Sequence, residues 1–480
     1  MPDDAGADHP AALAGDAAVD VEAAREVGQT ETAGFDRPTA VSDAADVRDA
    51  QDAGAADVKD GSADRADADA GPSAPQGPFV FGDGGTCAHE LGNRNCWSGF
   101  GTAALHPKGF YAGAAFDRRF VYLVSSNDGV ANPVTRFDTT ADFAVAASWS
   151  TFPLATVNPT SPGFAGAGFD GRNLYFVPCN PGFGSVLSRY DTQAAFEAPA
   201  SWANFDLAAI NGLNPPTDGQ CDIGAVFDGR YMYFVPNSIY EYWRGTVERY
   251  DPQAPFDALS SWSTFDTTTA LDMNAGGFRG AAFDGRYIYF VPWGDISTGT
   301  PIALVGSPLF TRFDTTAPFA SPTSWATFDP TAVGPTNSFV SATFDGRYVY
   351  FAPGDYRGQA TRYDTRAAFT DTSAWSAFDM SSTGVDARQF YAGARFDGRY
   401  VYFFGASGLL LRYDTSAAFG AVASWSTLSL TTLEPRAGGY SGAVFDGRFL
   451  YLVPSASNLV LRFDAEPAGP LPPQRQASFY

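Results

Sequence analysis

Past the first hundred residues, apolar and polar positions alternate in short bursts, and helical spacing is nowhere sustained. The stretch "FDGRYVYFAP", beginning at Phe344, shows the unit. A run of small and apolar residues ends in Phe, Asp-Gly-Arg follows, and aromatic and β-branched residues then lead up to a Pro. Near-copies are "FDGRNLYFVP", "FDGRYMYFVP", "FDGRYIYFVP", "FDGRYVYFFG", "FDGRFLYLVP" and the variant "FDRRFVYLVS". Anchored on the Asp, they fall at Asp117, Asp170, Asp228, Asp284, Asp345, Asp397 and Asp446, seven units spaced by 49 to 61 residues. A period of that size marks propeller blades or solenoid units.

Each unit divides into four predicted strands: "GAxF", "YxYFVP", a third ending in Arg-aromatic-Asp, and "SWxxF". The third landmark runs from Arg136 and Asp138 in the first unit to Arg462 and Asp464 in the last. Asp-Gly between the first two strands predicts a type I′ hairpin, with positive φ at both central residues. Arg118 replaces that Gly in the first unit and predicts a strained turn there. The small residues of "GAxF" suit an innermost strand, where blades crowd an axis. The predicted fold is all-β: a seven-bladed propeller of four-stranded antiparallel blades.

Trp149, Trp202, Trp262, Trp325, Trp375 and Trp425 each follow a third strand, but the seventh unit stops at "LVLRFDAEPAG" without one. The missing piece stands at the other end, in "CWSGFGTAAL" with Trp97. The N-terminal strand is therefore expected to complete the last blade and close the ring without an open edge. This puts the propeller at 84–466, a tether at 1–83 and a flexible tail at 467–480.

Composition changes the picture mainly at the N-terminus. Residues 1–80 hold 18 acidic and 5 basic side chains, against a net charge of −23 for all 480 residues. This Ala- and Asp-rich segment has too few large apolar groups to repay the entropy of folding and is expected to be disordered. The net acidity argues against nucleic acid as a partner. No apolar run is long enough to span a bilayer. "MPDDAGADHPAALAG" has no basic region or apolar core of an export signal, yet the tract resembles the spacers behind the lipid anchor of bacterial surface lipoproteins. An extracellular or surface-anchored location is expected, with an export signal upstream of this start.

"PRAGGYSGAVFDGRFLYLVP", "LVLRFD" and "RYDTSAAFGAVASWSTL" resemble kelch-type repeats, which follow Pro-Arg and small residues with a hairpin, a Tyr-rich strand, a "YD" turn and a Trp strand. The likeness extends over all seven units as a pattern. It departs from kelch at the double glycine after the second strand, where most units have "VP" or "AP" and only Gly405 comes near. The resemblance implies a kelch-like propeller, here of an exported bacterial type. Some kelch-like propellers are copper radical oxidases, which need imidazole ligands; this chain has three His residues, His9, His89 and His106.

An active site needs one constellation, so a sevenfold Asp, Arg and Tyr pattern reads as architecture. Function is expected where the pattern breaks, on the face carrying the loops after each second strand and before each first strand. There lie Tyr240, Tyr242, Trp243 and Arg244 after blade 3's second strand, Trp293 and Asp295 after blade 4's, and Asp355, Tyr356 and Arg357 after blade 5's. Aromatics mixed with Asp and Arg suit stacking on sugars or anchoring a protein. A further ring precedes the inner strands: Tyr111, Phe164, Asp222, Phe278, Phe339, Tyr391 and Tyr440. Asp222 is its acidic exception, and Arg279 and Arg395 add charges near the axis.

Four cysteines without CxxC spacing predict two disulfides, Cys87–Cys96 and Cys179–Cys221, rather than a metal site. Neither a Ser/His/Asp triad nor a phosphate-cradling Gly loop is present, and no metal or cofactor is expected. The expected function is non-enzymatic recognition of a protein or glycan at the cell surface, by a monomer. The alternatives are a carboxylate-based polysaccharide hydrolase or lyase and a structural envelope protein.

Overall fold

The computed structural model describes residues 77–126, 133–159, 163–179, 185–211, 222–237, 244–293, 309–334 and 338–465. All belong to one unit, Ala70–Tyr480. In blade 5 the strands Phe339–Phe344, Tyr348–Pro353, Gln359–Asp364 and Trp375–Asp379 pair antiparallel in sequence order. Six sheets of this order, and a seventh extended by one strand, make the blades. Their inner strands are Tyr111–Phe116, Phe164–Phe169, Asp222–Phe227, Phe278–Phe283, Phe339–Phe344, Tyr391–Phe396 and Tyr440–Phe445. Each lies beside the next, and the last beside the first, so the ring is closed. The fold is a seven-bladed β-propeller.

Small residues on the inner strands are a steric requirement. A Cβ on Gly166 would stand 2.7 Å from the carbonyl of Ile223 in the next blade. Farther out, aromatic rings bind neighbouring blades. The Phe of each "SWxxF" stacks on the next blade's Trp, as in Phe265–Trp325 at 4.6 Å and Phe378–Trp425 at 4.4 Å. The Arg of Arg-aromatic-Asp also crosses the blade boundary. Arg362 lies over Tyr348 at 4.0 Å and over blade 6's Phe419 at 4.4 Å, and donates to the Tyr413 hydroxyl. Cation–π contact and apolar burial act together at one interface.

Ring closure follows the sequence expectation, with an addition. Trp97–Gly101 pairs with Leu459–Asp464, Trp97 opposite Phe463, as the fourth strand of blade 7. Gly77–Val80, inside the stretch assigned to the tether, pairs with Trp97–Gly101 as a fifth strand. Phe79 and Phe81 pack against the blade 7 core, which gives this edge strand its apolar anchor.

The hairpin turns differ from expectation. Only the glycine takes positive φ, 102° at Gly346, whereas a type I′ turn needs two such residues. The reason is the preceding Asp. Asp345 Oδ1 accepts the backbone N–H groups of Arg347 and Tyr348 at 2.7 and 2.6 Å, an Asx turn formed with the Asp at negative φ. Arg118 copies the glycine's conformation, with φ of 86°.

Candidate functional site

The seven-times-repeated groups are structural. In each unit the hairpin Asp also accepts a Tyr hydroxyl, as Asp345 Oδ2 does from Tyr350 at 2.8 Å. Burial and the neighbouring carboxylate push that phenol's pKa up, so it stays a donor. The hairpin Arg pairs with the Asp that ends the third strand, Arg347 with Asp364 at 2.6 Å and Arg119 with Asp138 at 2.7 Å. These groups all lie at the hairpin end of the blades.

The opposite end carries the loops where the pattern breaks. Arg279, second residue of blade 4's inner strand, lies over the Trp293 ring at 4.5 Å. Trp293 follows that blade's second strand, and its backbone N–H donates to the Gly277 carbonyl at 3.2 Å. Its ring reaches across blade 5 and meets blade 6's Phe390 edge-on at 5.9 Å. Gly354 makes the crossing possible, since a Cβ there would come within 2.5 Å of the indole. The sequence treats Arg279 as an axial charge and Trp293 as a loop aromatic; the fold joins them in one three-blade platform.

Beside the platform, Asp355 is 1% exposed and Tyr356 is 61% exposed. The Asp355 carboxylate accepts the Arg357 N–H at 3.2 Å and faces its guanidinium at 3.7 Å, a fold of the "GDYRG" loop that turns Tyr356 outward. Arg244 is placed by its carbonyl, which accepts the Gly277 N–H at 2.7 Å below Trp293's strand end. Tyr240, Tyr242, Trp243 and Asp295 lie outside the described residues.

Blade 3 holds a feature that motif reading missed. Asp222 and Glu248 are each 1% exposed. In blade 1 the corresponding residues are Tyr111 and Thr135, whose hydroxyls meet at 2.9 Å. The fold thus assigns two carboxylates to positions that touch in a sister blade. The signal for Glu248 was available: "TVERY" has a charge where the other third strands have Thr, Ser or Leu. The remaining ring members Tyr111, Phe164, Phe278, Phe339, Tyr391 and Tyr440 are buried and fill the inner-strand ends.

Cys87 and Cys96 form a disulfide. Cys179 is also disulfide-bonded, and Cys221, the partner expected for it, lies outside the described residues. Among the described residues no helix is long and apolar enough to cross a membrane.

No protein-family model matches the chain, and no curated protein does. Solved structures do. A chain of "YCF48 bound to D1 peptide" is similar with a TM-score of 0.48 at 13% identity, covering 79% of this chain and 99% of that one. A chain of "Crystal Structure of Mitotic Checkpoint Complex" is similar with a TM-score of 0.46 at 9% identity, covering 84% and 99%.

Proposed function

We propose that this chain is a non-enzymatic recognition scaffold of the kelch-like kind, exported by a bacterial-type cell and held at its surface by the acidic segment 1–83. It acts as a monomer and takes a protein or glycan on the loop face of blades 4 to 6. One observation carries the reading: Tyr356 stands exposed next to the Arg279–Trp293–Phe390 platform, where the sevenfold pattern is broken. A rigid amphipathic ring beside an ordered aromatic floor is the kind of anchor that dominates recognition surfaces. The test is a glycan array and a surface-protein binding assay with Tyr356→Ala and Trp293→Ala. Each substitution is expected to weaken binding by about 10-fold or more while circular dichroism is unchanged. Unchanged affinity in both variants rejects this face.

A second reading, a carboxylate-based polysaccharide hydrolase or lyase, is favoured by the Asp222 and Glu248 placement in blade 3. Reducing-sugar release measured alongside the array separates the two, since product that Glu248→Gln abolishes means catalysis. Neither binding nor product leaves a structural envelope role.

A further inference from the structure

At the hairpin end, opposite the recognition face, the N-terminal segment brings Cys87, His89 and Cys96 against Asp464. We propose that reduction of the Cys87–Cys96 disulfide converts this corner into a four-ligand zinc site made by Cys87, Cys96, His89 and Asp464.

Three of the four ligand atoms already stand together. Cys87 Sγ lies 3.6 Å from His89 Nδ1, and His89 Nδ1 lies 3.7 Å from Asp464 Oδ1. One atom from each of the three falls within 4.8 Å of the others. A tetrahedron with Zn–S of about 2.3 Å and Zn–N or Zn–O of about 2.0–2.2 Å has S···N edges of about 3.6 Å and N···O edges of about 3.4 Å. Two edges therefore stand close to zinc geometry, and the Cys96 sulfur, once parted from Cys87, must turn into the fourth position. Among the described residues this is the one corner that gathers such a group. In blades 1 to 6 the corresponding carboxylate oxygen accepts the N–H two residues on, from Thr140, Gln193, Gln253, Thr316, Arg366 or Ser416. At Asp464 the Oδ1 oxygen accepts the Arg448 Nε–H at 3.2 Å and also faces His89 of the incoming segment. His89 is held there in a left-handed conformation, φ 54°, by Arg412 donating to its carbonyl and by its own N–H on Cys87 Sγ. A non-glycine residue kept in that region is strain maintained by its surroundings.

The chemistry balances with a dithiol as reductant. Its thiolate attacks one sulfur of the disulfide, and its second thiol resolves the mixed disulfide. The reductant leaves oxidised and Cys87 and Cys96 become thiols. Zinc binding then releases the two thiol protons. His89 Nδ1, which donates to the Asp464 carbonyl at 3.1 Å, gives up its proton as Nε2 takes one. Two thiolates and a carboxylate around Zn²⁺ leave one negative charge, beside Arg448 at 2.7 Å from Asp464 Oδ2. The disulfide links the N-terminal segment only to itself. The metal links it directly to the third strand of blade 7, and so fastens the ring closure.

The experiment uses the full chain, reduced anaerobically, freed of reductant and titrated with Zn²⁺ or Co²⁺. Cys87→Ser/Cys96→Ser, treated identically, subtracts any metal held by thiols freed at Cys179. Wild type is expected to retain one more equivalent than this variant, to show the visible bands of tetrahedral thiolate-bound Co²⁺, and to melt higher with Zn²⁺ than without. His89→Ala and Asp464→Asn should each weaken binding by about 10–100-fold or more, the range that even outer-shell partners contribute. His89→Ala is the deciding variant, because Asp464→Asn also unpairs Arg448. Metal uptake equal to the double variant, or His89→Ala with undiminished affinity, overturns the site.

Discussion

Phe328 of blade 4 and Trp375 of blade 5 lie with ring planes within 4° and centroids 4.4 Å apart. The same pair recurs at Phe100–Trp149, Phe152–Trp202, Phe205–Trp262, Phe265–Trp325 and Phe378–Trp425. At the seventh boundary, between blades 6 and 7, Leu428 stands in the Phe position opposite Trp97. The boundary without a stack is the one that the N-terminal segment closes, with the Cys87–Cys96 bond directly before Trp97. Leu428→Phe should restore the stack and raise stability by about 0.5–1.5 kcal/mol, the worth of an aromatic pair beyond its area. Phe328→Ala should cost about 3–5 kcal/mol. Denaturant melts compared with wild type check both.

Arg118 is one of three described non-glycine residues with positive φ. Its sister hairpins have glycine at this φ, from 97° at Gly229 to 114° at Gly398, and the left-handed side costs a residue with a Cβ about 1–2 kcal/mol. Arg118→Gly is expected to stabilise the protein by about 1 kcal/mol, read as a rise in denaturation midpoint at unchanged slope. A loss of stability would mean that the Arg118 side chain supplies a contact outweighing the strain.

Gly354→Ala tests the platform from below. The new methyl meets the Trp293 indole and Val340, so the ring must lift or blade 5 must shift, at a cost of about 1–3 kcal/mol. Trp293 should leave Phe390 and Arg279, and ligand affinity should fall even though Gly354 itself offers no side chain to a ligand. A crystal structure of the variant, or its tryptophan emission, reads the displacement.

Acid should loosen the hairpin end first. Arg119, with help from Thr140, holds Asp138 down to about 2, and Arg286 and Thr316 hold Asp314 down to about 2 against the opposing effect of burial. A carboxylate with a depressed folded pKa adds stability that is complete above its ordinary value near 4 and is lost as pH falls towards about 2. The Arg partners are largely exposed, so solvent screening keeps the contribution of each pair small. Asp397 runs the other way: burial raises its pKa, so its contribution is complete at low pH and fades as pH rises through the folded value. Arg119→Gln should flatten the melting-temperature profile slightly between about pH 4 and pH 2 and leave its shape unchanged near neutrality.

Much of the architecture was legible because it is local and repeated. Asp-Gly-Arg, Arg-aromatic-Asp and "SWxxF" are each read within a few residues, and seven copies average out the exceptions. The blade count, the closing Trp97 strand and the structural role of the repeated charges followed. The turn type did not, because an Asp able to bond its own backbone competes with the conformation that Asp-Gly dipeptides favour. Nor did Gly77–Val80, where Phe79 and the adjoining Phe81, in a polar neighbourhood, acquire value only against a core built elsewhere.

The repeat is thus written in residue order alone: which residues form strands, where each hairpin turns, and why inner strands must be small. What the irregular residues do is written only in the folded ring. Arg279 meets Trp293 across 14 positions of chain, and Trp293 meets Phe390 across 97. His89 meets Asp464 across 375 positions. Such contacts exist because closing the ring sets blade ends side by side. The distance between two side chains then depends on blade geometry, which no local pattern encodes.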